Sequence, residues 1–163
     1  MYKVAVIVSS DSAYVGKRED TSGKNIVELC QKKNFKISEQ LILPDDKEQL
    51  SKAMKEICDK KSADLILTTG GTGLAPRDCM PEATQAIGER EVPGISEALR
   101  SFSMQITKHS MLSRGVSVVC HQTLIINLPG SPKAVKESLS YIIEQLPHAI
   151  GLIQDRQNEA DRH

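Results

Sequence analysis

The sequence has few aromatic residues: 163 positions include no Trp, three Tyr and two Phe. Base stacking on aromatic side chains supports single-stranded nucleic-acid binding, so this scarcity argues against that function. Charge of one sign is not in excess either, because 21 Lys and Arg balance 21 Asp and Glu. With no overall field to attract nucleic acid or an anionic membrane, neither is an expected partner, and any ligand site must be local.

Long apolar runs and paired cysteines are also missing. The opening run, Val4 to Val8, is too short for a signal-peptide core or a membrane span. Cys30, Cys58, Cys79 and Cys120 form no CxxC pair and have no histidine at ligand spacing, so neither a zinc site nor a disulfide framework is expected. We interpret the chain as a reduced, cytoplasmic protein whose cysteines are small buried hydrophobes.

Length and composition predict a single domain over residues 1–163, with a frayed tail after about residue 155. Short β-branched runs alternate with apolar residues at helical spacing, which predicts an α/β fold. Two apolar runs joined by His121-Gln122-Thr123 predict a hairpin. The expected architecture has three layers: a doubly wound, mostly parallel sheet, helices on both faces and an antiparallel hairpin strand. Predicted strands cover 4–8, 36–43, 64–69, 116–120 and 124–127; predicted helices begin near 21, 46, 81, 93 and 132.

The last predicted helix is long. It follows the Pro129-Gly130-Ser131-Pro132 break, and its apolar residues recur at helical spacing. The residues expected to face the core are Val135, Leu139, Ile142, Ile143 and Leu146.

A glycine-rich turn follows the third predicted strand. It reads Thr69-Gly70-Gly71-Thr72-Gly73 and is followed closely by Arg77 and Asp78. Glycines allow positive φ and close approach of a ligand, so consecutive N–H groups can converge on an anion. A tight strand connection without a ligand would use the same residues. The density of small and hydroxylated residues favours a binding role.

Polar loops follow the other parallel strands, and ligands of open α/β sheets bind beyond the carboxyl ends of strands. These loops carry Ser9, Ser10 and Asp11, then Pro44-Asp45-Asp46, and finally Pro129, Gly130 and Ser131. Converging carboxylates, hydroxyls and N–H groups suit a phosphorylated substrate and Mg²⁺. Each piece also has a simpler interpretation, because Asp45 or Asp46 can cap the next helix and serine hydroxyls often only satisfy the turn.

Two nucleotide-binding motifs are excluded. Thr21-Ser22-Gly23-Lys24 lacks the upstream glycine and the residue order of a P-loop. Gly71-Thr72-Gly73 is followed by Leu74-Ala75-Pro76, which does not complete GxGxxG. The site therefore needs neither a Walker loop nor a dinucleotide fold.

Taken together, the motifs resemble those of the molybdenum cofactor biosynthesis proteins of the MogA/MoaB type, a family that includes the G domain of gephyrin. As a set they are specific and run in the family's order along nearly the whole chain. They are Thr69-Gly70-Gly71-Thr72-Gly73, Pro76-Arg77-Asp78, Pro81-Glu82-Ala83-Thr84, Arg90-Glu91-Val92-Pro93-Gly94, Leu112-Ser113-Arg114 and Leu128-Pro129-Gly130-Ser131-Pro132-Lys133.

The resemblance is nearest to the molybdopterin adenylyltransferase branch, which implies transfer of AMP from ATP to the terminal phosphate of molybdopterin, with Mg²⁺ required. The two family aspartates map to Asp45 and Asp78, which are then the expected catalytic and metal-binding residues. Gly70 to Gly73 and Ser131 would cradle the pterin or phosphate, while Arg77 either binds substrate or orients Asp78. Met80 and Cys79 depart from the family pattern without touching the aspartates.

The resemblance also implies a homotrimer or a dimer of trimers. Two other functions stay open at this point. The chain could be a non-catalytic molybdopterin-binding or scaffold protein, as in the MoaB-like branch, or a small-anion or nucleotide-binding module unrelated to molybdenum. Retention of both Asp45 and Asp78 favours the enzyme.

Overall fold

The computed structural model describes residues 1–156, which build a six-stranded sheet flanked by helices. The strands are β1 (Lys3–Ser9), β2 (Lys36–Leu43), β3 (Leu65–Thr69), β4 (Arg90–Glu91), β5 (Ser117–Cys120) and β6 (Thr123–Leu128). The helices are α1 (Asp11–Tyr14), α2 (Ser22–Lys32), α3 (Lys47–Lys60), α4 (Met80–Ile87), α5 (Pro93–Met104), α6 (Pro132–Ile142) and α7 (Leu146–Ile153). Two short 3₁₀ segments cover Lys108–Leu112 and Ile143–Gln145.

The sheet order is β2-β1-β3-β6-β5-β4. Strands β2, β1, β3 and β6 are parallel, whereas β5 pairs antiparallel with β6 and β4 antiparallel with β5. From β1 the chain moves outward to β2 and then returns to β3 on the other side of β1. The loops leaving β1 and β3 therefore diverge, and this switch point opens a crevice at the carboxyl edge of the sheet.

Alternating residues of the central strands face two separate hydrophobic cores. Val4, Val6 and Leu67 belong to one core, which α2, α5, α6 and α7 complete. Ala5, Ile7 and Ile66 belong to the other, which α3 and α4 complete. Both faces of the central strands are thus buried, as their continuous apolar runs predict. The three-layer α/β expectation is confirmed.

The predicted elements are mostly confirmed, with one correction. The five residues expected to face the core from the last helix are all buried, but the helix is not continuous: it changes to a 3₁₀ turn after Ile142 and begins again at Leu146. Pro147 explains the break, because proline has no N–H to donate to the carbonyl four residues earlier and its ring crowds that carbonyl. The prediction of one uninterrupted helix is therefore wrong.

Three short elements lie outside the predicted set: α1, β4 and the 3₁₀ turn Lys108–Leu112. Each is too short to show a hydrophobic period. Among residues 1–156, no helix has both the length and the apolarity needed to span a bilayer. The predicted frayed tail falls mainly on residues 157–163, outside the described residues.

Candidate active site

The glycine turn lies directly against the end of β1. Gly70 has a φ of +90° and Gly71 a φ of +72°, a backbone region that side-chain-bearing residues rarely adopt. A Cβ on Gly70 would lie 2.4 Å from the Ser9 carbonyl oxygen, closer than any van der Waals contact. Glycine at position 70 is thus required both by conformation and by the close approach of two backbone segments.

Asp45 is held at the same place by neutral donors from the first loop. The Ser9 hydroxyl donates to Asp45 Oδ1 over 2.5 Å, and the Asp11 N–H donates to Oδ2 over 3.2 Å. Its neighbour Asp46 is the N-cap of α3 and accepts from the Gln49 N–H. The structure thereby separates the two aspartates: Asp46 is the capping residue, and Asp45 faces the glycine turn, 3.4 Å from a Cβ built on Gly71.

Asp78 closes the other end of the glycine turn. Its Oδ2 accepts the Ala75 N–H at 3.0 Å and lies 2.9 Å from a Cβ built on Gly73. Asp45 and Asp78 therefore each lie against a glycine of the turn, so small residues at positions 71 and 73 leave room for both carboxylates.

Arg77 pairs with Asp11 rather than with Asp78. Its Nε and Nη2 each donate over 3.0 Å to the two oxygens of Asp11, a bidentate ion pair on the exposed rim. The expectation that Arg77 could orient Asp78 is wrong, because the guanidinium is already engaged across the loop. This pairing holds the pKa of the Asp11 carboxyl below its usual range, and the Asp45 N–H donating to Asp11 lowers it further.

Arg114 holds the segment that carries Asp78, a role that the sequence did not predict for any residue. It donates to the carbonyls of Gly73 (2.8 Å) and Asp78 (3.0 Å) and forms a 2.7 Å ion pair with Glu82, which lowers the pKa of Glu82. One guanidinium thus ties both ends of the segment that carries Asp78. The Leu112-Ser113-Arg114 motif was visible in the sequence, but its partners lie more than 30 residues away along the chain.

Asp45 and Asp78 line a single cavity of about 430 Å³ at the switch point. Other predicted residues that line it are Ser9, Ser10, Thr69, Gly70, Gly71, Gly130 and Ser131. The structure adds a segment that the sequence reasoning did not assign to the site, residues 18–22, which includes Arg18 and Ser22. The Ser22 hydroxyl donates to the Gly130 carbonyl over 2.7 Å and so joins the first loop to the last.

A second cavity of about 530 Å³ adjoins the first and has a more apolar lining. Thr72, Gly73 and Pro129 line only this second cavity, whereas Gly130 and Ser131 line both. Leu99, Ile106 and Leu112 supply apolar walls. Asp11 and Arg77 line neither cavity and form the ion pair at the rim of the site.

Several hydroxyls predicted to bind ligand are already bonded within the protein. Ser10 Oγ accepts the Ala13 N–H and caps α1, and Ser131 Oγ accepts the Ala134 N–H and caps α6. Thr69 donates to the Pro129 carbonyl over 2.6 Å. These bonds fix the loops that surround the cavity. A hydroxyl that caps a helix retains a donor hydrogen and can still bind an anion.

The carboxylate pair is suited to Mg²⁺. Within residues 1–156, hydrogen bonds to the carboxylate oxygens of Asp45 and Asp78 come only from hydroxyl and N–H donors, not from Lys or Arg. Their negative charge is therefore not neutralised by a directly bonded cation, and each carboxylate retains lone pairs for a metal. Oxygen ligands from one or two carboxylates, completed by substrate phosphates, are the usual environment of Mg²⁺.

Fold and site together define an α/β domain with a cavity at its switch point, and two carboxylates, Asp45 and Asp78, line that cavity. Residues 5–148 match the family described as "Probable molybdopterin binding domain", and the chain belongs to that family. The expected family membership is confirmed.

Individual relatives support the same placement. The chain is 36% identical over 159 residues to a molybdopterin adenylyltransferase of Helicobacter pylori, with 92% of this chain and 86% of the relative covered. It is 40% identical over 152 residues to the molybdenum cofactor synthesis protein cinnamon of Drosophila melanogaster, covering 92% of this chain but only 25% of that longer protein. The crystal structure of the molybdopterin biosynthesis enzyme MoaB from Thermus thermophilus superposes with a TM-score of 0.89 at 42% identity, covering 94% of this chain and 96% of that one.

Proposed function

We propose that the protein is a molybdopterin adenylyltransferase, a nucleotidyltransferase that moves AMP from ATP to the terminal phosphate of molybdopterin and releases pyrophosphate. The observation that carries this proposal is the placement of Asp45 and Asp78 in one cavity, each against a glycine of the same turn. The Helicobacter relative, which shares most of its length with this chain, bears that name.

Asp45 and Asp78 are the groups that would hold Mg²⁺. The bound ion would neutralise phosphate charge and bring the phosphates of the two substrates into line. Ser9 and the Asp11 N–H hold Asp45 in place, while the Ala75 N–H holds Asp78. Both carboxylates are therefore oriented before substrate arrives, which lowers the cost of organising the transition state.

The reaction needs no protein nucleophile. An oxygen of the molybdopterin phosphate attacks the α-phosphorus of ATP and forms the new P–O bond; the bond from that phosphorus to the β-phosphate bridge breaks, and its electron pair leaves with pyrophosphate. What the chain must supply is positioning and charge balance. Backbone N–H groups of the glycine turn, Gly70 and Gly71 above all, would bind phosphate oxygens in the carboxylate-lined cavity.

The two adjoining cavities fit a reaction of two substrates. The carboxylate-lined cavity suits phosphates, and the more apolar cavity, with Leu99 and Ile106 in its walls, suits a planar ring system. Gly130 and Ser131 lie between the cavities, where the end of one ligand would meet the other.

We also propose a homotrimer and a cytoplasmic location. Apolar side chains of the 3₁₀ segment Lys108–Leu112 are exposed on the single chain, with Met111 60% and Leu112 47% exposed, and an assembly would cover them. Light scattering of the purified protein should give three times the chain mass; a monomer at micromolar concentration would contradict the trimer. All four cysteines are free thiols, which suits a reducing compartment.

The test is to incubate the protein with molybdopterin, ATP and Mg²⁺ and to measure adenylylated molybdopterin and pyrophosphate. We expect Asp45→Asn and Asp78→Asn each to reduce kcat by about 100-fold or more, because each removes a negative metal ligand without changing shape. The matched control is Asp46→Asn, since asparagine caps a helix as well as aspartate and activity should persist.

Three results would contradict the proposal. Absence of product from the native chain, together with tight molybdopterin binding, would favour the non-catalytic MoaB-like alternative. Absence of molybdopterin binding would favour the other alternative, a small-anion or nucleotide-binding module unrelated to molybdenum. Equal losses of kcat in Asp45→Asn and Asp46→Asn would contradict the proposed role of Asp45 as a metal ligand.

A further inference from the structure

A second group of metal-ligating side chains lies at the opposite edge of the sheet from the proposed active site. It combines Glu89, just before β4, with Cys120, the last residue of β5, and His121, in the hairpin turn between β5 and β6. Potential ligand atoms of these three residues all lie within 4.8 Å of one another. The set contains carboxylate, thiol and imidazole, the three side-chain types that bind zinc.

The spacing of two of these ligands already fits a tetrahedral zinc ion. His121 Nδ1 lies 3.1 Å from Glu89 Oε1. Two ligands bound at about 2.0 to 2.1 Å in tetrahedral geometry are roughly 3.3 Å apart. The His121 backbone N–H also donates to the same Glu89 oxygen, which fixes the carboxylate beside the turn. His121 itself has a φ of +55°, an uncommon conformation for this residue that turns the chain at this point.

The second nitrogen of the imidazole contacts a further carboxylate. His121 Nε2 lies 2.8 Å from Asp59 Oδ1, near the end of α3. Metal-binding histidines usually donate their other ring N–H to a carboxylate, which fixes the tautomer and turns the free lone pair towards the metal. Asp59 would hold Nε2 protonated in this way, leaving Nδ1 for the ion beside Glu89.

Lys55 is the cationic side chain that faces this group. Its Nζ is 2.6 Å from Asp59 and 3.2 Å from His121 Nε2. Lys55 therefore lies on the Nε2 side of the ring and balances the charge of Asp59. The Nδ1 side, where Glu89 lies, keeps its negative charge for a cation.

Cys120 is buried together with a second cysteine. Cys58 belongs to the same hydrophobic cluster, and both residues are at most 1% exposed. Burial raises the pKa of the Cys120 thiol, and the neighbouring Cys58 lowers it in part. Zinc binding would displace the Cys120 proton to solvent, as it does at thiolate sites generally.

We infer that Glu89, Cys120 and His121 form a binding site for a thiophilic divalent cation such as Zn²⁺, with Asp59 orienting the imidazole. The site is separate from the Asp45–Asp78 pair and does not depend on the proposed reaction. Its soft ligands select against Mg²⁺, which prefers oxygen. The scattered cysteines of the sequence gave no indication of it, because Glu89 and Asp59 join Cys120 and His121 only in the folded chain.

The experiment titrates metal-free protein with Co²⁺, a spectroscopic substitute for Zn²⁺. We expect one ion per chain with a sulfur-to-cobalt charge-transfer band in the near ultraviolet, lost on adding Zn²⁺. Cys120→Ala should abolish the band. His121→Ala and Glu89→Gln, both at exposed positions, should each weaken Zn²⁺ binding at least about tenfold, and Asp59→Asn about tenfold.

Controls separate this site from other thiols and carboxylates. Cys79→Ala removes the half-buried cysteine beside Asp78, and a double Asp45→Asn, Asp78→Asn variant removes the proposed Mg²⁺ ligands; both should keep the band. Circular dichroism verifies folding of each variant. A native protein without the band, a band that survives in folded Cys120→Ala, or unchanged Zn²⁺ affinity in both His121→Ala and Glu89→Gln would overturn the inference.

Discussion

Carboxylates at the carboxyl edge of the parallel strands and carboxylates at the opposite, hairpin edge have different hydrogen-bond partners. At the carboxyl edge, Asp45 and Asp78 accept hydrogen bonds from neutral hydroxyl and N–H donors. At the hairpin edge, Asp59 lies against Lys55 and His121, and these contacts hold the pKa of Asp59 below its usual range. At the first edge the two carboxylates are therefore not paired with Lys or Arg, whereas at the second edge Lys55 partly balances the charge of Asp59.

This difference indicates what each edge can bind. Oxygen ligands around an open cavity suit a hard cation shared with phosphates, whereas thiol and imidazole on a tight turn suit a softer ion held by the protein itself. The two edges also differ in how their geometry is maintained. Glycine backbone contacts shape the first, and side-chain pairs shape the second.

The largest expected effect tests the backbone contact at the carboxyl edge. Gly70→Ala places a Cβ 2.4 Å from the Ser9 carbonyl oxygen at a φ of +90°. The combined strain and overlap should lower the free energy of unfolding by about 3 kcal/mol or more and remove adenylylation activity. Urea denaturation and the activity assay measure the two effects.

The matched control for that variant is Gly94→Ala in α5, where a Cβ meets nothing within 4 Å. Alanine in a helix should leave stability unchanged or raise it by up to about 1 kcal/mol. If both alanine variants lose the same stability, the close approach of Gly70 to β1 does not constrain the turn.

The next effect sharpens the contrast in metal preference. Zn²⁺ at about 100 times its dissociation constant should raise the free energy of unfolding by about 2.7 kcal/mol in the native protein. Cys120→Ala should lose this gain, because the site at the hairpin edge lacks its thiolate. Differential scanning calorimetry with Zn²⁺ and with a chelator measures this gain in both proteins. A gain from Mg²⁺ that Cys120→Ala also abolishes would show that the hairpin edge does not prefer the softer ion.

A smaller effect is expected for the arginine behind Asp78. Arg114→Ala removes the hydrogen bonds to the Gly73 and Asp78 carbonyls and the ion pair with Glu82. These groups are partly exposed and can be rehydrated, so the loss of stability should be about 1 to 2 kcal/mol. We expect kcat to fall about tenfold, since the segment carrying Asp78 is less well positioned.

Arg114→Lys is the companion variant. Lysine keeps the charge but lacks the planar fork that reaches three acceptors at once, so it should recover stability only partly. Full recovery of both stability and kcat would mean that charge alone, and not the geometry of the guanidinium, positions Asp78.

The smallest effect concerns the rim pair of Asp11 and Arg77. The pKa of Asp11 is lowered from its ordinary value of 3.8 by Arg77, so the folded state favours the ionised form. The ion pair therefore stabilises the folded protein fully at pH values above 3.8, and this stabilisation is lost as pH falls through the lowered pKa of Asp11. Asp11→Asn should be slightly less stable than the native protein at pH 7, and the difference should vanish in strong acid.

Thermal unfolding of both proteins across the acid range measures this difference. Asparagine still offers an oxygen to the Asp45 N–H, which isolates the charge. A difference between the proteins that is independent of pH would assign the effect to shape rather than to ionisation.

Much of the fold was predictable because local signals were strong. The second strand was predicted at its observed bounds, 36–43, and Asp46 was identified as a cap candidate and does cap α3. The interruption at Pro147 was missed because the buried residues on either side keep helical spacing across the 3₁₀ turn. Hydrophobic period alone does not distinguish one helix from two that share a face.

The candidate site was predictable only in part. Motif order pointed to Asp45, Asp78 and the glycine turn, and the structure brings both aspartates together with Gly70 and Gly71 in one cavity. Motif order did not predict the partner of Arg77 or the role of Arg114. A guanidinium can reach any acceptor that the folded chain brings near it, and those acceptors come from loops distant in sequence.

The sequence by itself determined the alternation of strands and helices, the family, and which residue types meet at the carboxyl edge, because these follow from local periodicity and from motifs kept in order. Only the tertiary structure decided which aspartate caps and which faces the cavity, and which arginine ties the Asp78 segment. It alone brings Glu89 and Asp59 to His121. Such choices depend on distances of about 3 Å between residues far apart in the chain, and no local pattern encodes them.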